Sequence, residues 1–292
     1  MIIQILRYLR PWFWIPALAS MWAGHMRVGG GRFVLSLWLL PALVVGPGLS
    51  GFAESINDIF DLSFDRLSCP KAVLGLPLAG GSGALSLGKL PIRTCWIVVV
   101  LAAFLSLASA TLLSTLVVGL AGLGLILGYI YSAPPIRLKS RGILGLFPQA
   151  VGYGPIAYYI GYCSASRGSV DLSATLLQSV LIGVWVGVVG LTADLLDLEG
   201  DFSAGVHNLA VRIGKRRTIL VIVVGAWSIF LAAAVRMWTS PANLRMIAGS
   251  AILLLGYSVC LARCWTQRVP TWIHLWTLAM EGLFPLFAHQ GL

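Results

Sequence analysis

The residues best placed to do chemistry in this chain are its acids. Only ten Asp and Glu occur among 292 residues, and seven of them fall in two short windows. The first holds Asp58, Asp61 and Asp65 and the second Asp194, Asp197 and Asp201, each spelling D-x-x-D-x-x-x-D, with every aspartate pair offset by 136 positions. On a helix, positions i, i+3 and i+7 lie along one stripe, so each triplet is expected to send its carboxylates into the same space. Neither window contains His or Cys. That argues against zinc and softer metals and for magnesium or calcium, with magnesium favoured when phosphate oxygens complete the shell.

The anion that such a site would hold needs cations of its own. They stand in Tyr131-Ser132-Ala133-Pro134-Pro135-Ile136-Arg137-Leu138-Lys139-Ser140-Arg141, where Arg137 and Lys139 alternate along a segment that follows a rigid turn. In an extended segment alternate residues face one way, so both can reach one ligand. Lys71, shortly after the first acidic window, is a further candidate, and Arg212 and Lys215 after the second are weaker ones. Carboxylates holding a divalent cation, with Arg and Lys on the remaining oxygens, make a diphosphate site that assists departure of a leaving group. A solvated helix end would explain one acidic run at a membrane boundary. Two runs with the same spacing call for a partner, because carboxylates at membrane depth cost about 2.5–3.5 kcal/mol each.

The elements that must position these groups are apolar helices. The chain is 58% hydrophobic and 10% charged, with a mean hydropathy of +0.90, whereas soluble domains carry about 25% charged residues. Stretches long enough to cross a bilayer recur at 12–27, 33–55, 92–112, 114–131, 143–163, 173–193, 217–237, 246–265 and 270–288, predicting an all-α integral membrane protein of about nine spans. The third and fourth are divided only by the turn-prone Leu113-Ser114-Thr115. Four spans separate equivalent aspartates, which suggests one domain over 1–292 built on an internal four-helix repeat.

With this count, one side of the membrane receives 15 of the 20 Lys and Arg residues together with both acidic windows. Positive charge marks the cytoplasmic face, so the N-terminus and the active-site loops are expected inside and the C-terminus on the opposite side. The net charge of +10 is then a topology signal and no nucleic-acid partner is expected. Arg7 and Arg10 precede an apolar run that has the outline of a signal peptide, but its prolines and tryptophans fit an interfacial segment better. Five cysteines, an odd number with four in or beside spans, predict no disulfide framework.

On these residues the chain resembles the UbiA superfamily of intramembrane prenyltransferases. The resemblance rests on N-D-x-x-D-x-x-x-D at 57–65, Y-S-A-P-P-I-R-L-K at 131–139 and D-L-L-D-L-E-G-D at 194–201, followed by A-G-x-x-N-L-A-V-R-I-G at 204–214. The Y-S-A-P-P-x-x-L-K and L-E-G-D segments look most similar to the chlorophyll-synthase and geranylgeranylglyceryl-phosphate transferase branches. The resemblance implies a helical bundle around a central cavity and Mg²⁺-dependent transfer of an isoprenoid from a prenyl diphosphate to a lipophilic acceptor. It implies a metal and diphosphate set of Asn57, Asp61, Asp65, Asp197 and Asp201, with Asp58 and Asp194 in the same motifs as supporting or acceptor-binding groups. Arg137 and Lys139 look like diphosphate clamps, and Tyr131 sits where the family places an aromatic near the allylic cation.

One departure concerns the loop after the first motif. In place of the relatives' arginine-bearing segment the chain runs through Cys69-Pro70-Lys71 to the glycine-rich Ala79-Gly80-Gly81-Ser82-Gly83, a longer loop expected to cap the site. Lys71 can supply charge there but not the bidentate geometry of a guanidinium. Two other functions share the features above. A terpene cyclase would ionise the same diphosphate without an acceptor, and an ion or lipid transporter would place its acids near the bilayer midplane.

Overall fold

The computed structural model describes residues 1–29, 35–66, 71–73, 76–79, 81–166, 171–238 and 241–289, with the side chains at 35–37, 71–73, 76–79, 174, 241, 242, 288 and 289 outside that description. Its regular structure is helical apart from one short antiparallel hairpin. Among the described residues six helices are long and apolar enough to cross a membrane: Trp38–Phe60, Ile92–Thr111, Thr115–Ser132, Thr175–Ser203, Lys215–Met237 and Asn243–Arg263. The other three expected spans coincide with shorter or interrupted helices. These are α2 (Ile15–Gly29), the pair α8 (Leu146–Val151) and α9 (Ala157–Ser166), and α14 (Ile273–His289). The chain is a multi-pass membrane protein.

Local chemistry accounts for the breaks. The helix α6 (Ile92–Thr111) stops just before Ser114, whose Oγ accepts from Val117 N at 3.3 Å and caps α7 (Thr115–Ser132), at the turn expected from the sequence. The first motif is approached by α3 (Leu35–Leu43) and α4 (Gly51–Phe60), joined through a π-helical turn at Val44–Ser50 that contains Pro47. A second such turn, Gly152–Ile156 with Pro155, joins α8 to α9. Proline lacks the N–H that the regular ladder needs, and a widened turn accommodates the gap.

Large apolar side chains such as Val100, Phe104, Val224 and Ile252 stand 60–70% exposed on α6, on α12 (Lys215–Met237) and on α13 (Pro241–Arg263), a surface suited to lipid. Inside, the closest approach is between α2 and α9. A Cβ on Gly24 would lie 2.0 Å from the Tyr158 carbonyl oxygen and one on Gly161 would lie 1.8 Å from that of Met21. Only glycine lets the two backbones meet so closely, as at helix crossings in membranes generally.

The second motif is carried by α10 (Leu172–Ser203), 32 residues in one uninterrupted helix, so the acids lie within its last turns and not beyond its end. Against it lies α14, pinned by Trp185. This indole stacks on Phe284 at 4.3 Å between centroids, and its Nε1 donates to the Met280 carbonyl at 3.1 Å. Of the cysteines, Cys95, Cys163, Cys260 and Cys264 are free, and Cys69 lies outside the described residues.

Among the described residues the hairpin is the one departure from helical regular structure. β1 (Lys71–Val73) pairs with β2 (Leu76–Ala79) through Lys71↔Ala79, Ala72↔Pro77 and Val73↔Leu76, with a bulge after Lys71. It occupies the loop after the first motif, and β2 lies beside α10.

Candidate active site

The ends of α4, α7 and α10, with α8 and α14, surround a cavity of about 580 Å³. Along the π-helical turn and α4, as far as the capping Asp61, the lining residues include Val45, Leu49, Ala53, Asn57 and Asp61; along α10 they include Val186, Gly190, Asp194, Asp197 and Asp201. Both stripes therefore run from apolar to acidic. Eight of the ten acids in the chain line this one space, because Glu54, Glu199 and Glu281 join the five motif aspartates Asp61, Asp65, Asp194, Asp197 and Asp201. A volume of this size with apolar walls and a polar end is typical of a small-molecule site.

The second triplet behaves as its spacing predicts, with all three aspartates facing the cavity on an unbroken helix. Asp201 Oδ2 accepts from Asn208 Nδ2 at 2.7 Å, and Asn208 in turn caps α11 (Leu209–Ile213) by accepting from Val211 N at 2.9 Å. The N-L-A-V-R-I segment thus acts locally, as a buttress for the last motif aspartate.

The first triplet does not stay together. Helical geometry stops at Asp61 (φ −96°, ψ 0°) and resumes as the single turn α5 (Leu62–Asp65), while Asp58, 2% exposed, turns away from the cavity. Its carboxylate is taken by Arg10 Nη2 and by Ser82 N at 3.1 Å, and Arg10 Nη1 also donates to Glu54 Oε2 at 3.1 Å. Arg10 follows α1 (Ile2–Leu9), which is fastened to α4 where Tyr8 OH donates to the Ser55 carbonyl at 2.7 Å. The expectation that Asp58 shares a stripe with Asp61 and Asp65 fails for two reasons: the helix breaks at Asp61, and the N-terminal segment brings a competing guanidinium. Burial opposes the charge on Arg10, but Asp58 and Glu54 outweigh it and hold the guanidinium pKa above its ordinary value.

Arg137 and Lys139 meet the first motif directly. Arg137 Nη2 donates to Asp61 Oδ1 at 2.9 Å, and its guanidinium lies over Phe64, 4.7 Å from the ring centroid. Lys139 Nζ donates to Asn57 Oδ1 at 2.8 Å and to Asp61 Oδ2, while Ser132 Oγ donates to Asn57 Oδ1 at 3.0 Å. Lys139 lines the same cavity as aspartates of both motifs. Arg137 is left-handed (φ 43°), which turns the chain sharply ahead of Lys139. Arg141 instead folds back on its own loop, donating to the carbonyls of Ile136 and Pro135. The loop is tied to the region after the second motif where Gly142 N donates to His207 O at 3.0 Å. The His207 side chain is exposed.

Tyr131 lines the cavity, and its hydroxyl accepts from Gln149 Nε2 at 3.0 Å. Gly81 passes over Asp65 so closely that a Cβ there would lie 2.1 Å from Oδ2, and its φ of +77° suits only glycine. Burial, then the neighbouring charges of Asp58 and Asp61, push the Asp65 carboxyl up to about 8. Lys71 begins β1; its side chain is outside the described residues.

As a metal site the donor set is suitable in kind, since Asn57, Asp61, Asp65, Asp194, Asp197 and Asp201 offer only oxygen. Among the described residues no three His, Cys, Asp or Glu side chains are gathered tightly enough to hold one ion, and Asp61 is neutralised by Arg137 and Lys139. Sequence reasoning missed Arg10, Glu54, Gln149, His274 and Glu281, all of which line the cavity. Each is a lone polar residue with no motif around it. For Glu54 and Glu281 the signal was scarcity, since only three acids fall outside the two windows.

Comparison with known proteins places this architecture. The UbiA prenyltransferase family model matches residues 13–285. The chain belongs to that family. It is 28% identical to homogentisate phytyltransferase of Synechocystis over 89% of this chain and 82% of that one, and 27% identical to chlorophyll synthase of Arabidopsis thaliana over 76% and 56%. The chain spans about half the length of the plant relatives it matches. Its fold is that of a UbiA homolog from Archaeoglobus fulgidus solved with DMAPP and Mg²⁺, with a TM-score of 0.71 at 22% identity, covering 98% of this chain and 97% of that one.

Proposed function

We propose that this UbiA family member transfers an isoprenoid group from a prenyl diphosphate to a lipophilic acceptor within the membrane and releases diphosphate. One observation carries the reading: two acidic motifs 136 residues apart line one cavity, where Arg137 and Lys139 reach Asp61, and apolar side chains such as Val45, Leu49, Ile156 and Val186 line the same space. A diphosphate head matches the charged groups and an isoprenoid tail the apolar ones.

Asp61, Asp65, Asp197 and Asp201, with Asn57 and Asp194 beside them, would hold Mg²⁺, which when bound neutralises diphosphate oxygens and stabilises charge on the leaving group. Arg137 and Lys139 neutralise Asp61. With a donor bound, the same two cations would pair with phosphate oxygens and clamp the departing group, and Asp61 would then be free to help hold the metal. Tyr131, held by Gln149, presents its ring beside the cation that forms as the C–O bond breaks. Lys71, in the hairpin after the first motif, is a third cation for the diphosphate. Asp58 serves as an anchor through Arg10.

The shorter helices around 15–29, 146–166 and 273–289 complete about nine spans in a single domain, with the N-terminus and the active-site loops cytoplasmic and the C-terminus opposite. The internal repeat draws support from the pairing of α2 with α9, which lie about 136 positions apart. Relatives named as transferases give cyclisation and transport no support. The test is diphosphate release from geranylgeranyl diphosphate with Mg²⁺ and a membrane lipid extract. Asp61→Ala and Asp197→Ala should each abolish it. Near-normal turnover in either variant would overturn the reading, and a cyclic product formed without extract would replace transfer by cyclisation.

A further inference from the structure

Two cations that follow the second motif, Arg212 and Lys215, do not line the central cavity. Lys215 Nζ donates to the Gln267 carbonyl, and its neighbour Arg216 lies over Trp265, 5.7 Å from the ring centroid. Arg212 is placed differently. Its Nε donates to the His207 carbonyl at 2.9 Å, the same oxygen that accepts from Gly142 N at 3.0 Å. The side chain runs across Gly142, where a Cβ would lie 2.9 Å from Cδ and 3.3 Å from Cζ, and the φ of +63° at Gly142 favours glycine as well. The guanidinium is thus fixed in place through Nε, while among the described residues its two amino groups have no partner.

Ile143 follows Gly142, and a second cavity starts there. It is a groove of about 230 Å³ lined by Ile143, Leu146 and Phe147 at and before the start of α8 and by Val184, Gly187 and Val188 on α10, with apolar residues throughout and none shared with the central cavity. The groove faces outward, since Ile143 is 68% exposed and Phe147 56%. Val184 and Val188 precede Asp194 by ten and six residues, about 15 and 9 Å along the helix. The groove therefore lies at hydrocarbon depth below the acids, and Arg212 stands at its polar end. The charge around that end has one sign. Not one acid occurs between Phe202 and Met280, and Lys215, Arg216 and Arg217 open α12, where the helix dipole is itself positive. An anion bound here relieves both.

We propose that Arg212 and this groove bind an anionic phospholipid, with the phosphate on the guanidinium amino groups and one acyl chain along Ile143, Phe147 and Val184. A guanidinium fork matches two phosphate oxygens at once, and a basic site at the membrane face beside an apolar groove is the complement of a charged headgroup on a hydrocarbon chain. A choline headgroup brings its own cation into a field of cations. Free phosphate leaves the groove unfilled. The site does not depend on the prenyl-transfer reading, because none of its residues lines the central cavity.

The experiment places the full chain in phosphatidylcholine nanodiscs with a small fraction of either phosphatidylglycerol or phosphatidylcholine that carries a photoreactive diazirine in one acyl chain, and maps the adducts by mass spectrometry. Phosphatidylglycerol should label residues 143–150 and 184–188 at least about fivefold more than phosphatidylcholine does. Arg212→Gln should bring that preference within about twofold. Gly187→Leu, whose Cβ meets the Ala150 Cβ at an ordinary 3.5 Å, should fill the groove and cut its labelling at least about fivefold. The two variants act from opposite ends of the site, so a folding defect in one leaves the other decisive. An excess of inorganic phosphate should leave the labelling by phosphatidylglycerol unchanged. Equal labelling by the two lipids in the wild type, or a preference that survives in a folded Arg212→Gln variant, would overturn the assignment, and so would labelling that phosphate abolishes, which would mark an anion site without a lipid chain.

Discussion

Removing the Arg10 side chain should loosen the whole N-terminal attachment of the active site. Arg10, with 7% of its side chain exposed, neutralises Asp58 at 2% and Glu54 at 18%. Arg10→Met keeps much of the packing volume but strands two carboxylates, and breaking a buried pair in this way costs about 3–5 kcal/mol. In a chain of this length each kcal/mol moves the unfolding midpoint by roughly 2 °C, so a fall of about 6–10 °C is expected. Asp58→Asn should cost less, because Glu54 remains on Arg10 and the asparagine carbonyl can still accept from Ser82 N. The double variant Arg10→Met/Asp58→Asn should fall short of the summed losses by about 1–3 kcal/mol, the coupling expected of directly interacting groups. The assay is thermal unfolding in one detergent at one scan rate, since unfolding of such proteins is often irreversible. A loss below about 2 °C for Arg10→Met, or strict additivity in the double variant, would refute the claim that this pair anchors the first motif.

Gly81→Ala introduces a Cβ 2.1 Å from Asp65 Oδ2 at a φ of +77°, so Asp65 must move; Mg²⁺-dependent turnover should drop about a hundredfold with folding retained, and a change within threefold would count against a role for the close approach of Gly81 to Asp65. Gly161→Ala, 1.8 Å from the Met21 carbonyl, should part α2 from α9 and cost at least about 1–3 kcal/mol, whereas Gly119→Ala, with nothing within 4 Å, should be neutral or stabilising; equal effects on the unfolding midpoint would be the contrary result. The raised Asp65 carboxyl keeps its proton in the folded protein well after the unfolded chain has lost it. Its contribution is therefore present below pH 4 and is lost as pH rises to about 8, so without divalent cations the unfolding midpoint should fall over that window, and the fall should shrink in Asp65→Asn.

Much of this site could be read in the chain because its signals are local and repeated. The 3-and-7 spacing of the aspartates holds on any helix, the offset of 136 repeats it, and the composition leaves no environment but a membrane for the helices between. The cap at Ser114 was legible for the same reason, since it depends only on its own turn. What each repeated residue does was not legible. Asp58 and Asp194 hold the same place in the two motifs, yet one is consumed by Arg10 and the other faces the cavity. The difference comes from the docking of α1 onto α4, a contact between residues 44–48 positions apart. Glu281 carries no motif, and only the stacking of Trp185 on Phe284 turns it toward Gly190 and Gln149. The sequence by itself determined which chemistry is available, because residue type and helical period are properties of the chain. The tertiary structure decided which acids line the cavity and which are already neutralised by cations, because charge pairing and burial are settled only when distant segments pack.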